Sequence, residues 1–223
     1  MRLTPSAMKL LDETIEEGQF YFVRDRDVED DPAGIDELEE KHAGYFFAWD
    51  RYHIENYLLD EVAILRVLAD DPAIPNTFGS SDDVLRQLRR IADVRKPDVF
   101  ARHLEARMNP VLRHRVILNS QEGVEGSLAK AAAARLRRTQ ELLEPDAVKK
   151  LFADVTSNIY ARWDTDWKKL CVGRDVLEQF HKDHVSGLTY EVFRNKIARK
   201  VRELEQVPEP ITRVMDTLTA DVP

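Results

Sequence analysis

From residue 80 to residue 218 the apolar residues recur three and four apart, the spacing that lines one face of an α-helix. That repetition restricts the chain to folds dominated by helices. Ser80-Ser81-Asp82-Asp83 has the form of a capping box, and Val84, Leu85, Leu88, Ile91 and Val94 make one face of the helix it opens. Pro97 interrupts the pattern, and a further helical stretch is expected beyond it. Residues 126–143 predict an Ala/Arg/Leu helix. Pro145 sits where another begins, with Val148, Leu151 and Phe152 expected inward. Residues 173–184 predict the next. Tyr190, Phe193, Ile197, Val201 and Leu204 trace one stripe of a helix ending before Pro208, and Ile211, Val214, Met215 and Leu218 give a last short one.

The first seventy residues read differently. Residues 6–17 predict a short amphipathic helix stopped by Gly18. QFYFV (19–23) and GYFFAW (44–49) are short, apolar and aromatic, and both predict buried strands. Between them lie a polar loop, RDRDVEDDPAG, with Pro32 and Gly34, and one or two helical turns in IDELEEKH. Residues 60–69 are again helical in period. The expected class is therefore α+β, mostly α: a small α/β element over residues 1–70, then a helical extension over 71–223.

Charge divides the chain as well. The net charge is −8, but residues 1–75 carry 19 acidic against 7 basic side chains, and the remainder 22 against 26. Such asymmetry arises from solvated faces, or from a metal-binding part beside one that lies along phosphates. The basic residues fall in groups: Arg86, Arg89 and Arg90; Arg135, Arg137 and Arg138; Arg194, Lys196, Arg199, Lys200 and Arg202. A solvated helix face explains them; tracking along a DNA or RNA backbone is the functional alternative. No apolar run approaches the roughly 20 residues needed to span a bilayer, the N-terminus lacks a signal-peptide core, and Cys171 is the single cysteine. These features predict a cytoplasmic protein without an internal disulfide or a multi-cysteine zinc site.

Two acidic elements carry candidate chemistry. The first strand delivers Arg24-Asp25-Arg26-Asp27. Alternate residues of an extended chain point to one side with Cα atoms roughly 6.6 Å apart, so Asp25 and Asp27 can face one point. Two hard oxygen ligands suit Mg²⁺ or Mn²⁺. The alternative is a solvated loop. The second element is WDRYHIENYLLD (49–60), in which Glu55 stands among Ile54, Tyr52, Tyr57, Leu58 and Leu59. A carboxylate in apolar company needs a partner. A metal or an arginine such as Arg51 could supply one; the alternative is that Glu55 caps the helix near residue 60 or forms an ordinary ion pair. His181 and His184, with Glu178, offer a weaker zinc face, and Cys171 reads as a small buried residue. There is neither a Walker-type nor a G-x-G-x-x-G phosphate loop.

A strand ending in D-R-D, followed by a second strand running into R-x-x-I-E-N-Y-L-L-D, resembles the Toprim-type nuclease domains of the OLD (overcoming lysogenization defect) group. The residues that carry the likeness are Asp25, Asp27, Arg51, Ile54, Glu55, Asn56, Tyr57, Leu58, Leu59 and Asp60. The tail is similar more loosely, through Val172-Gly173-Arg174-Asp175-Val176-Leu177 and Pro208-Glu209-Pro210-Ile211. The resemblance implies a partial Toprim-like element and Mg²⁺- or Mn²⁺-dependent cleavage of phosphodiesters in DNA or RNA. It further implies an ABC/AAA-like ATPase as partner and a role in defence against phage or foreign DNA. Asp25 and Asp27 then bind metal, Glu55 binds a second metal or orients the first, and Arg174 contacts phosphate. Two departures bear on this. The family's opening strand and its glutamate have no counterpart in the eighteen residues before QFYFV, so a truncated frame, a fragment or a half-domain completed by another chain is expected. Arg174 stands where the family often has lysine, and arginine does not readily exchange a proton. A non-catalytic module binding an ATPase or nucleic acid is the alternative. No membrane association is expected, and the sequence leaves the oligomeric state open.

Overall fold

A computed structural model describes residues 22–24, 32–51, 53–72, 74, 76–112 and 124–220. The protein is mainly α. In chain order the elements are β1 (Phe22–Arg24), α1 (Pro32–Lys41), β2 (Phe46–Ala48), a 3₁₀ turn (Ile54–Leu58), α2 (Glu61–Asp70), α3 (Ser81–Leu112), α4 (Val124–Leu143), α5 (Pro145–Leu170), α6 (Gly173–His184), α7 (Tyr190–Glu203) and α8 (Glu209–Ala220). The helix expected over 6–17 lies outside the described residues.

Strands occur in both expected runs among the described residues, and β2 is shorter than its apolar run. They pair in parallel, with Phe22 opposite Phe46, Val23 opposite Phe47 and Arg24 opposite Ala48. Parallel neighbours need a crossover, and α1 supplies it. This helix is longer than the one or two turns expected, because it begins at Pro32 and takes in Gly34. Proline suits a first helical turn, where its missing N–H has no partner to lose. Parallel strands are stable only when covered. Phe47, Trp49 and Tyr57 accordingly form a buried cluster with Val214 of α8, and Ile211 and Leu218 pack against it. Glu39 of α1 ties the layers together: its Oε1 accepts a bond from Ala48 N at 2.9 Å and pairs with Arg213 Nη2 at 3.1 Å.

The chain divides into two compact units, residues 1–96 with 166–223, and residues 97–165. This is a different partition from the expected boundary at residue 70, and α3 and α5 each contribute to both units. In the first unit α2 packs on α7. Ala63, Ile64, Val67 and Leu68 are buried on one helix, and Phe193, Ile197 and Val201 on the other. Lys196 and Lys200 of α7 reach Asp71 (2.7 Å) and Asp70 (2.8 Å) at the end of α2. Phe180 of α6 stacks on Phe193 at 6.3 Å and on Phe78 at 5.6 Å. The second unit buries Val99, Ala106, Val155, Ile159 and Trp163.

Two helical faces differ from the sequence pattern. Helix α3 continues through Pro97, whose position coincides with the boundary between units. A proline inside a helix costs about 3 kcal/mol; burial of Val84, Leu88, Ile91 and Ala92 before it and Val99 after it offsets that loss. Val94, expected inward, is 74 % exposed. On α5, Val148 and Phe152 are exposed rather than inward, and the buried face begins at Val155. Periodicity fixed the stripe but not the point along the helix where a neighbour begins to cover it.

Candidate functional site

The segment from Trp49 to Asp60 is held by side chains that serve one another. Trp49 meets Tyr57 edge-on at 5.9 Å. The Tyr57 hydroxyl donates to Asp50 Oδ1 and accepts from Asp50 N at 3.3 Å. Burial and this carboxylate both raise the Tyr57 phenol far above its ordinary range. The Arg51 guanidinium lies 4.4 Å from the Tyr57 ring centre, and its Nη1 donates to Asn56 O at 2.6 Å. Arg51 is therefore not the partner of Glu55. Asp60 caps α2, its Oδ1 accepting from Val62 N (3.0 Å) and Ala63 N (2.8 Å). The capping role considered for Glu55 belongs to Asp60.

Asn56 is fully buried and uses its whole amide. Nδ2 donates to Lys168 O and Cys171 O, each at 2.8 Å, and Oδ1 accepts from His53 N and Gly173 N, each at 3.2 Å. It thereby ties the end of α5 to the start of α6. Gly173 is required by that contact: a Cβ there would stand 2.5 Å from Asn56 Oδ1 and 2.6 Å from Asn56 N.

Glu55 and Arg174 come within electrostatic reach of each other, in a cluster with Glu178, Tyr190 and Arg194. The Glu55 side chain is 14 % exposed, and its Oε1 lies 3.4 Å from Arg194 Nη1. Arg174, on the first turn of α6, points largely to solvent, and its Nε donates to Glu178 Oε1 at 3.0 Å. The hydrogen bond and charge of Glu178, then the charge of Glu55, raise the Arg174 pKa. Tyr190 opens α7. Its hydroxyl is buried without a hydrogen-bond partner among the described residues. Burial, then Glu55 and Glu178, push the phenol up to about 12, against Arg194 and Arg174. The cluster thus balances two carboxylates with two guanidinia around a neutral phenol. Arg194 engages the Glu55 carboxylate through Oε1. Nothing in the sequence pairs residue 55 with residue 194.

Asp25 and Asp27 lie outside the described residues; β1 ends at Arg24, one residue before them. The expected histidine face does not assemble. His181 Nε2 bonds Leu188 O at 2.9 Å, and Glu178 serves Arg174. His184 Nε2 is buried without a partner among the described residues, beside the rings of Phe78 and Phe180, and burial lowers its pKa. No group of three His, Cys, Asp or Glu suited to a metal occurs among the described residues. Cys171 is completely buried, and burial pushes its thiol up to about 12. None of the described helices is long and apolar enough to cross a membrane.

No family model matches the chain, and comparison with curated proteins and with solved structures finds no match.

Proposed function

We propose that the chain is a cytoplasmic, metal-dependent nuclease component that hydrolyses phosphodiesters in DNA or RNA with Mg²⁺ or Mn²⁺. In this reading it acts with an ABC/AAA-like ATPase in defence against phage or foreign DNA. The observation that supports it best is the parallel β1–α1–β2 unit. Parallel pairing sends the chain out of both strands at the same edge, and ligands gather at the carboxyl edge of parallel strands. Beyond that edge the sequence continues to Asp25 and Asp27 on one side and to Asp50 and Glu55 on the other. Asp25 and Asp27 supply metal ligands, Glu55 joins on release from Arg194, and Arg174, already largely exposed, meets phosphate.

The test is calorimetric titration of Mn²⁺ into the protein and into the Asp25→Ala/Asp27→Ala variant, followed by cleavage assays on DNA and RNA. Saturable binding and cleavage, both lost in a variant with unchanged helical circular dichroism, are expected. Cleavage that persists in the variant sinks the site assignment. A second reading, a non-catalytic module that binds an ATPase or nucleic acid, has its own support: Glu55 is engaged by Arg194, and the neighbouring residues of its string hold the fold. Absence of metal binding in the unaltered protein favours that reading.

A further inference from the structure

An open groove of about 750 Å³ runs along the first part of α3, lined by Leu85, Arg86, Arg89, Arg90, Asp93, Val94 and Trp167. It is separate from the Glu55 cluster and needs no metal chemistry. Its lining combines two properties. Val94 is 74 % exposed and Leu85 half-buried, so aliphatic surface faces water on a helix whose charged residues sit beside it. Three guanidinia stand against one carboxylate among the lining residues. Arg86 pairs with Asp83 of the preceding turn, and Arg89 Nε pairs with Asp93 Oδ1 at 2.9 Å. Arg90 is exposed and makes no ion pair among the described residues.

We infer that this groove docks a segment of a partner protein that presents bulky apolar side chains beside an acidic one. The apolar side chains cover Leu85 and Val94 and reach the edge of Trp167; the carboxylate pairs with Arg90. The volume is too large for a single ion, and its open form suits a segment rather than an enclosed small molecule. A nucleic-acid strand fits less well. Phosphates need a row of available cations, whereas Arg86 and Arg89 already hold carboxylates. A base needs an exposed aromatic face, whereas Trp167 is 7 % exposed, with the Arg89 guanidinium 5.8 Å from its ring. Apolar contact with a polar rim is the usual composition of a protein docking site.

The probe is a short fluorescein-labelled peptide of Glu, Leu and Phe, titrated with the full chain and followed by anisotropy. Comparison probes are the same peptide with Lys in place of Glu, and labelled oligo-dT. Saturable binding of the acidic peptide in the range of about 10–100 μM is expected. Arg90→Glu and Val94→Asp should each weaken it about tenfold or more, and Lys182→Glu, an exposed charge on α6, should not. Both groove positions are exposed, so the variants should fold, and their circular dichroism and melting checks this. No saturation at about 1 mM, binding unchanged in both variants, or equal binding of the Lys peptide overturns the proposal. Tighter binding of oligo-dT that is lost in Arg90→Glu overturns it in favour of a nucleic-acid surface. Metal titration does not involve these residues, so failure here is distinguishable from failure of the nuclease reading.

Discussion

Asn56 shows how a residue in a functional-looking string can be committed to structure. Its amide has four hydrogen-bonding positions, and all four are filled by backbone groups from three places in the chain. Replacement by leucine of similar size leaves two carbonyls and two N–H groups without it. A loss of at least about 3 kcal/mol in urea-unfolding free energy is expected. Gly173→Ala should cost a comparable amount, since the new Cβ meets Asn56 backbone and side chain together; an unaltered urea midpoint would show that Asn56 moves aside freely. Tyr190 carries the opposite expectation. Removing its unpartnered hydroxyl in Tyr190→Phe should leave stability at neutral pH unchanged or raise it by about 1 kcal/mol. The sign at high pH follows from linkage. Cys171 and Tyr190 both have folded pKa values of about 12, above their ordinary 9.0 and 10.0. The folded state therefore holds protons that the unfolded state releases. The stability that these two groups contribute is complete below about pH 9 and is lost as the pH rises toward 12, and in Tyr190→Phe the fall should be smaller. Circular dichroism against pH measures both. At this scale the sequence showed that Glu55 needed a partner. It did not show which one, because Arg194 is 139 residues away and no local rule connects them.

Helix ends and faces were legible in the sequence to different degrees. The start of α5 follows from Pro145, and α6 fills the stretch 173–184 expected for it. The N-cap of α7, Thr189, whose Oγ1 accepts from Val192 N at 3.3 Å, is not revealed by the apolar stripe from Tyr190. The end of α7 contains a strained residue that periodicity does not reveal. Glu205 has φ +56°, with its N–H bonded to Arg202 O at 3.1 Å and that of Gln206 bonded to Val201 O at 3.0 Å. This is a Schellman ending with a Cβ where glycine is usual. Glu205→Gly should raise the melting temperature, gaining up to about 1 kcal/mol; a fall would show that the Glu205 side chain contributes more than the backbone strain costs. On the buried side of the same helix, Phe193→Ala should cost about 3–5 kcal/mol, because it removes the ring stacked on Phe180 and opens a cavity between α6 and α7. The inward placement expected for Val148 and Phe152 was wrong for a related reason. A stripe of apolar residues marks the face of α5, but only the tertiary neighbours decide which part of it is covered.

At the scale of the whole molecule, the two units differ in what they bury. Residues 97–165 leave Leu128, Leu136, Leu143, Val148, Phe152 and Tyr160 at least 39 % exposed, each a large apolar side chain. Amide exchange should therefore be faster in 124–160 than in α2, α6 and α7; equal protection would mean that the units open as one. Acid should weaken both. Burial lowers the pKa of His184 in the first unit, and burial, then Arg107 and Arg162, lower that of His103 in the second. Both imidazoles favour the neutral form in the fold, so the stability they confer is present above about pH 6.5 and is lost as the pH falls below it. The mainly helical class was legible from period alone. The partition was not, since it depends on contacts between residues far apart in the chain.

That partition also governs how the protein is made. The first unit is assembled from residues before 97 and after 165. Asn56 meets Gly173 across 117 positions, and α2 packs on α7, more than a hundred residues later in the chain. During synthesis, Ile64, Val67 and Leu68 thus leave the ribosome long before Phe193 and Ile197 exist to cover them. The nascent chain carries an unsheltered apolar face throughout the translation of α3, α4 and α5, an interval in which a chaperone or an early-bound partner has its greatest effect on yield.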